Sequence, residues 1–293
     1  MLAWLAYLTV SLVWGSTYFA IALGVPVFTP YGIVATRFTL AAPVALLLGR
    51  FRGEPWPARR DLVPVALVGA LLLGCSNPLV SFSELTLASG IAAVLASLMP
   101  LWLALFSVRR EPLRPKGWMG LVLGVVGVAL LAWPTRAGSL HRVGLAAMLA
   151  APMIWAWGTL LGKRRIRGGG LFTTVGIQMA TAALIGWIAA PLTGGFLRAP
   201  LTLRATLAVA YLALVGSVLA FSAFLYLSKV WPPAKMGTYA YLNPLVAVLL
   251  GTLLGHEPFG ARSLAGMLVI LGAVALVQLR PTTSLPDTQP EVP

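Results

Sequence analysis

The chain has little charge. Of its 293 residues only 10% are charged, against about 25% in an ordinary soluble domain. Acids are the scarcer sign, with seven Asp and Glu beside twenty-one Lys and Arg. Residues 1–36 hold no charged side chain, so the basic start of a secretory signal is missing and the first apolar run reads as a retained helix. The single cysteine, Cys75, excludes an internal disulfide. The two histidines, His141 and His256, stand far apart in predicted loops, and no Cys/His cluster has metal-ligand spacing. No metal and no cofactor is therefore expected. A G-x-x-x-x-G-K-[ST] run is also missing, which argues against ATP drive through a P-loop of this chain.

Apolar residues fill the space that charge leaves. They make up 59% of the chain, and the mean hydropathy is +0.91. About 20 apolar residues cross a bilayer as a helix. Ten stretches qualify as candidate spans, near 2–22, 30–49, 62–83, 87–107, 117–133, 143–162, 172–193, 205–228, 234–254 and 263–279. Continuous apolar runs favour helices over barrel strands. The expected partner is thus a lipid bilayer. The net charge of +14 does not signal nucleic acid, because Lys and Arg fall in short clusters between apolar runs. With both termini in the cytoplasm, fifteen of them lie in cytoplasmic segments and five outside, and Arg37 remains inside a span. Residues 281–293 read as a disordered cytoplasmic tail.

The second half of the chain is a worn copy of the first. Trp14-Gly15-Ser16 recurs as Trp157-Gly158-Thr159, and Pro100-Leu101 recurs within Asn243-Pro244-Leu245. Glu111-Pro112 recurs as Glu257-Pro258, and Val128-Ala129-Leu130 as Val274-Ala275-Leu276. The offset drifts only from 143 to 146 residues. Five spans per copy force the second copy upside down. The expected fold is an all-α membrane protein of ten transmembrane helices in two inverted five-helix repeats, 1–135 and 140–280. Inverted repeats mark carriers that open alternately to the two sides of a membrane.

Arg37 is the costliest residue in the sequence. It lies about 10 Å into the second span. A cation at that depth needs a partner or water, and arginine does not usefully lose its proton. It is a fixed positive charge, either an anchor for an anionic group or a structural cation. Glu84, at the end of the neighbouring antiparallel span, is its natural partner and the candidate for proton coupling. Asn77-Pro78 and Asn243-Pro244 lie inside spans, where proline frees a carbonyl and kinks the helix. Aromatic and small polar residues gather in the same regions. Trp14, Ser16, Thr17, Tyr18, Arg37, Asn77, Ser81, Trp157, Tyr226, Tyr239 and Asn243 are expected to line a substrate cavity, with Trp14 and Trp157 as repeat equivalents. Glycines such as Gly69, Gly74 and Gly124 allow close helix packing. For the Gly124 face a homodimer contact is the alternative.

Trp14-Gly15-Ser16-Thr17-Tyr18, Arg37-Phe38, Ser89-Gly90-Ile91-Ala92-Ala93 and Tyr239-Ala240-Tyr241-Leu242-Asn243-Pro244 together resemble the drug/metabolite transporter superfamily, in its paired EamA-domain branch. The likeness spans about residues 2–279. It implies bacterial inner-membrane permeases with a central cavity lined by helices one, three, four, six, eight and nine, the fifth and tenth being peripheral. It also implies export of amino acids, metabolites or drugs, with proton coupling or exchange. One departure stands out. Gly-Glu usually precedes the fifth and tenth spans, where this chain has Arg110-Glu111 and His256-Glu257. Those two acids are expected to close the preceding turns.

The expected function is a secondary transporter of small-molecule substrates. An intramembrane lipid-handling protein or enzyme is the alternative. An enzyme needs a nucleophile–base pair or metal ligands within the spans. No span holds a histidine or a carboxylate pair, so no enzyme is expected.

Overall fold

In hydrocarbon every backbone N–H and C=O must be satisfied within the protein, so long apolar runs fold as helices. The computed structural model describes residues 1–108, 115–132, 139–231 and 239–278. Helix α1 runs Leu2–Gly24 and α2 Pro30–Phe51. Then follow α3 (Arg59–Ser83), α4 (Ser89–Ser107), α5 (Pro115–Ala132) and α6 (Ser139–Arg165). The rest are α7 (Leu171–Leu192), α8 (Leu203–Val230), α9 (Tyr239–Gly255) and α10 (Ala261–Gln278). Among the described residues seven helices, α1–α4 and α6–α8, are long and apolar enough to cross a membrane. Helices α5, α9 and α10 are apolar but shorter. The tail beyond 280 and the Arg110-Glu111 pair lie outside the described residues.

The outer surface is greasy. Leu5, Val63, Val125, Leu184, Leu192 and Leu268 are all exposed. Water penalises such a surface and lipid does not. Inside, α2 lies along α7 and α5 along α10. Helix α1 packs on α8 and α9, and α6 packs on α3 and α4. The contacts of the first half on the second thus mirror those of the second on the first.

Two carboxylates tie the halves together at helix N-termini, where unsatisfied N–H groups and the helix dipole favour negative charge. Glu54 accepts from Phe172 N at 2.7 Å and Thr173 N at 3.1 Å, capping α7. Glu257 accepts from Ser89 Oγ at 2.9 Å and Gly90 N at 3.4 Å, capping α4. Glu257 therefore does more than close its own turn. Its backbone N–H bonds Gly251 O, while its side chain crosses to the other half. The start of α2 is held by Thr29, whose hydroxyl accepts from Gly32 N and donates to Gly195 O in the α7–α8 connection.

Gly124 packs against its own chain, as close helix packing requires. A side chain there would strike Leu101 of α4 and approach Ala273 of α10. At this position the small residue serves packing inside the chain.

Two helices carry wide π-turns. In α3 the π segment is Ala70–Ser76, and in α8 it is Leu212–Leu219. In α3 the cause is visible. Pro78 has no N–H to give back and its ring crowds the carbonyl four residues earlier. Asn77 Nδ2 bonds instead to Leu72 O at 3.1 Å, five residues back. In α8, without a proline, Ser217 Oγ donates to Leu212 O at 2.9 Å, also five residues back. Helix α4 is broken at Ser97-Leu98, just before Pro100.

Candidate solute-binding site

The two π-turns face each other across a cavity of about 110 Å³. Arg37 reaches in from α2 and joins them. Its Nε donates to Ser217 Oγ at 2.7 Å, and its Nη1 donates to Asn77 Oδ1 at 3.3 Å. Because the Ser217 proton goes to Leu212 O, its lone pairs are free to accept from the guanidinium. The π geometry thus presents one neutral acceptor from each half to a single cation. Gly216 leaves room for this. A side chain there would press on Thr17 and come within 3.4 Å of Arg37 Nη2. The guanidinium carbon also lies 5.1 Å from the centre of the Phe38 ring.

The pairing of Arg37 with Glu84 is not formed. Glu84 is buried, and neither carboxyl oxygen has a hydrogen-bond partner among the described residues. The reason is axial distance. Glu84 lies seven residues beyond Asn77, about 10 Å along the helix, while Arg37 stands level with Asn77. Burial, and then the nearby Glu257 carboxylate, push the Glu84 carboxyl well above its usual range. Glu84 also lies within electrostatic reach of Tyr18, a cavity residue.

Aromatic rings form the walls. Trp14 and Trp155 meet edge to face at 5.6 Å, and Phe221 and Tyr239 pack around them. Trp14 Nε1 donates to Gly216 O at 3.2 Å. Asn243, with its amide nitrogen turned to the carbonyls of Ser11 and Tyr239, donates to them at 3.0 and 3.2 Å.

Of the expected lining residues, Trp14, Thr17, Tyr18, Arg37, Asn77, Tyr239 and Asn243 meet here. Ser16, Ser81, Trp157 and Tyr226 do not. Ser16 bonds Val13 O and the Tyr211 hydroxyl. Ser81 is buried beside the cavity wall, and Tyr226 packs half-buried against the aromatic core. Trp157 is 59% exposed and touches Phe106 on the outside. The tryptophan that faces Trp14 is Trp155 and not its repeat equivalent Trp157, and sequence reasoning missed Gly216, Ser217 and Phe221. Helices α1, α3, α4, α6, α8 and α9 all line the cavity, and α2 and α7 add Arg37 and Met179. Among the described residues no cluster of three metal-ligating side chains occurs.

The chain matches the EamA-like transporter family over residues 1–133 and again over 142–279. It is 36% identical over 275 residues to the uncharacterized inner membrane transporter YedA of Escherichia coli (strain K12), covering 92% of this chain and 88% of the relative. To protein PecM of Dickeya dadantii (strain 3937) it is 30% identical over 280 residues, with 91% and 89% covered. A crystal structure of a protein with 22% sequence identity superposes at a TM-score of 0.67 over 94% of this chain and 96% of that one, a likeness of fold.

Proposed function

We propose that this chain, which belongs to the EamA-like transporter family, is a secondary carrier that exports small metabolites, amino acids or drugs by alternating access across a bacterial inner membrane. In this reading ten spans form two inverted five-helix halves, with both termini in the cytoplasm. One observation carries it above the rest. The central cavity is bounded by a π-turn from each half, and a single buried cation joins the two. A π-turn is a local widening of the helix with i→i+5 bonds, frequent at functional sites. Its hydrogen bonds rearrange at small cost, so each half can reshape the cavity as it rocks. The flanking caps by Glu54 and Glu257 keep the helix ends registered while that happens.

Glu84 supplies a proton site in the same reading. It faces Tyr18 of α1 and Glu257 of the α9–α10 connection, and no described cation pairs with it. Its folded-state pKa stands above the ordinary 4.5, so its protonated form is the one the fold accommodates. The stability it contributes is complete below about 4.5 and is lost as pH rises through the raised folded value. Glu84→Gln should melt with a flatter pH dependence.

The test is counterflow in proteoliposomes, with a solute found by thermal-shift screening. A carrier shows trans-acceleration, and Glu84→Gln should keep it while losing drive by a pH gradient. Flux without trans-acceleration would indicate a channel. Unchanged pH drive in Glu84→Gln would remove that residue from the mechanism.

A further inference from the structure

We infer that the carried solute is an organic anion, a carboxylate on a small apolar body, with Arg37 as its counter-ion. The inference rests on the carrier reading above and names its substrate class.

The argument is one of charge and of donors left over. A guanidinium brings five N–H donors. Arg37 uses two of them, on Ser217 and Asn77. Its Nη2 has no acceptor among the described residues, and no described carboxylate pairs with it. The indole N–H of Trp155, in the same cavity, is buried without an acceptor as well. The cavity therefore offers positive charge and unused donors, and no described acid lines it. A carboxylate answers both needs, and two of its oxygens match the guanidinium fork. An ammonium would meet a like charge in a low dielectric with no described acid in the lining to hold it.

A second cavity points the same way. It measures about 370 Å³ and lies beside the first. Leu72, Gln178 and Phe224 line it, while their neighbours Leu73, Met179 and Phe221 line the central one. Its described charged lining residues include Arg167 and Lys229, and no described acid lines it. Basic clusters at the cytoplasmic face of a membrane protein are ordinary. Here they also line a cavity beside the one that holds Arg37, and basic lining concentrates anions. The central cavity, about 110 Å³, is smaller than the roughly 150 Å³ that holds benzene. It suits a short-chain acid as it stands.

The test is binding to the full-length purified protein, read by tryptophan fluorescence and by melting temperature. The probes are butyrate, n-butylamine and 1-butanol, then phenylacetate, phenethylamine and 2-phenylethanol. The expected result is carboxylate binding at least about tenfold tighter than amine or alcohol, lost in Arg37→Gln and weakened in Arg37→Lys, which keeps charge without the planar fork. The wild-type preference among probes needs no variant to fold. Equal or tighter binding of amine or alcohol, a carboxylate preference that survives in Arg37→Gln, or no carboxylate binding in either series would each overturn the anion assignment. Trp14→Ala separates the two levels. Amine or alcohol binding that it abolishes leaves the central-cavity reading standing, whereas binding it does not touch removes that reading too.

Discussion

Replacing Arg37 by methionine should raise the melting temperature of the purified protein by several degrees while removing its solute binding. The two effects have one cause. A buried ion carries an effective desolvation penalty of several kcal/mol, repaid only by good partners. Arg37 is 7% exposed and has two neutral acceptors and no described counter-charge. Methionine removes the penalty at similar length. Some loss offsets this, because Asn77 Oδ1 gives up its donor, at about 1–3 kcal/mol if left unsatisfied. Ser217 and Asn77 keep their bonds to Leu212 O and Leu72 O, so the π-turns themselves are not orphaned. Replacing buried ion pairs by apolar residues is often neutral or stabilising by about 1–4 kcal/mol, and each kcal/mol moves the midpoint by about 2–4 °C in large domains. A structural clamp behaves oppositely. If Arg37 serves to hold α2, α3 and α8 together, Arg37→Met melts lower than the wild type in the same detergent.

Gly69→Val and Gly186→Val should be strongly damaging to folding. A side chain at Gly69 of α3 would meet the backbone of Gln178 in α7 at 2.5–2.9 Å. One at Gly186 of α7 would meet the backbone of Ala35 in α2 at a similar distance. Backbone cannot swing aside as a side-chain tip can, so the helices must part. Overpacking of this kind costs about 3 kcal/mol or more where nothing relaxes. Separation also opens the long α2–α7 contact. Loss of the monodisperse peak in size exclusion is the expected readout. Gly272→Ala is the control, because nothing lies within 4 Å of its added carbon. Equal damage at Gly272 would mean that glycine content, and not these two contacts, governs folding.

The helical segments were legible because hydrocarbon demands helices and hydropathy marks them. Their ends were read within a few residues, as α3 shows by starting at Arg59 and α4 at Ser89. What the cavity contains was read less well, and the reason is rotation. The match of Trp14-Gly15-Ser16 to Trp157-Gly158-Thr159 fixes register along the chain but not which way a side chain points. Trp155 and Trp157 are two residues apart, about 200° around a helix. One of them faces the cavity and the other faces outward. Ser217 escaped notice for a similar reason. A serine in an apolar helix usually bonds its own backbone, and only the π-turn shows its other lone pair to Arg37. Position 77 was found because Asn beside Pro is conspicuous in a span. Its partner across the cavity has no such mark.

The central claim is that the cavity opens in turn to the two sides of the membrane. A single cysteine tests it without knowledge of the solute. Ser97 lines the cavity from the break in α4 and is buried, and its hydroxyl bonds only Val94 O nearby. Ser97→Cys in a Cys75→Ser background places one thiol there. Membrane-impermeant maleimide is then applied to right-side-out and to inverted vesicles. An alternating-access carrier labels from both sides, and blocking one face leaves labelling from the other intact. Labelling from one side only, or from neither, would contradict the account.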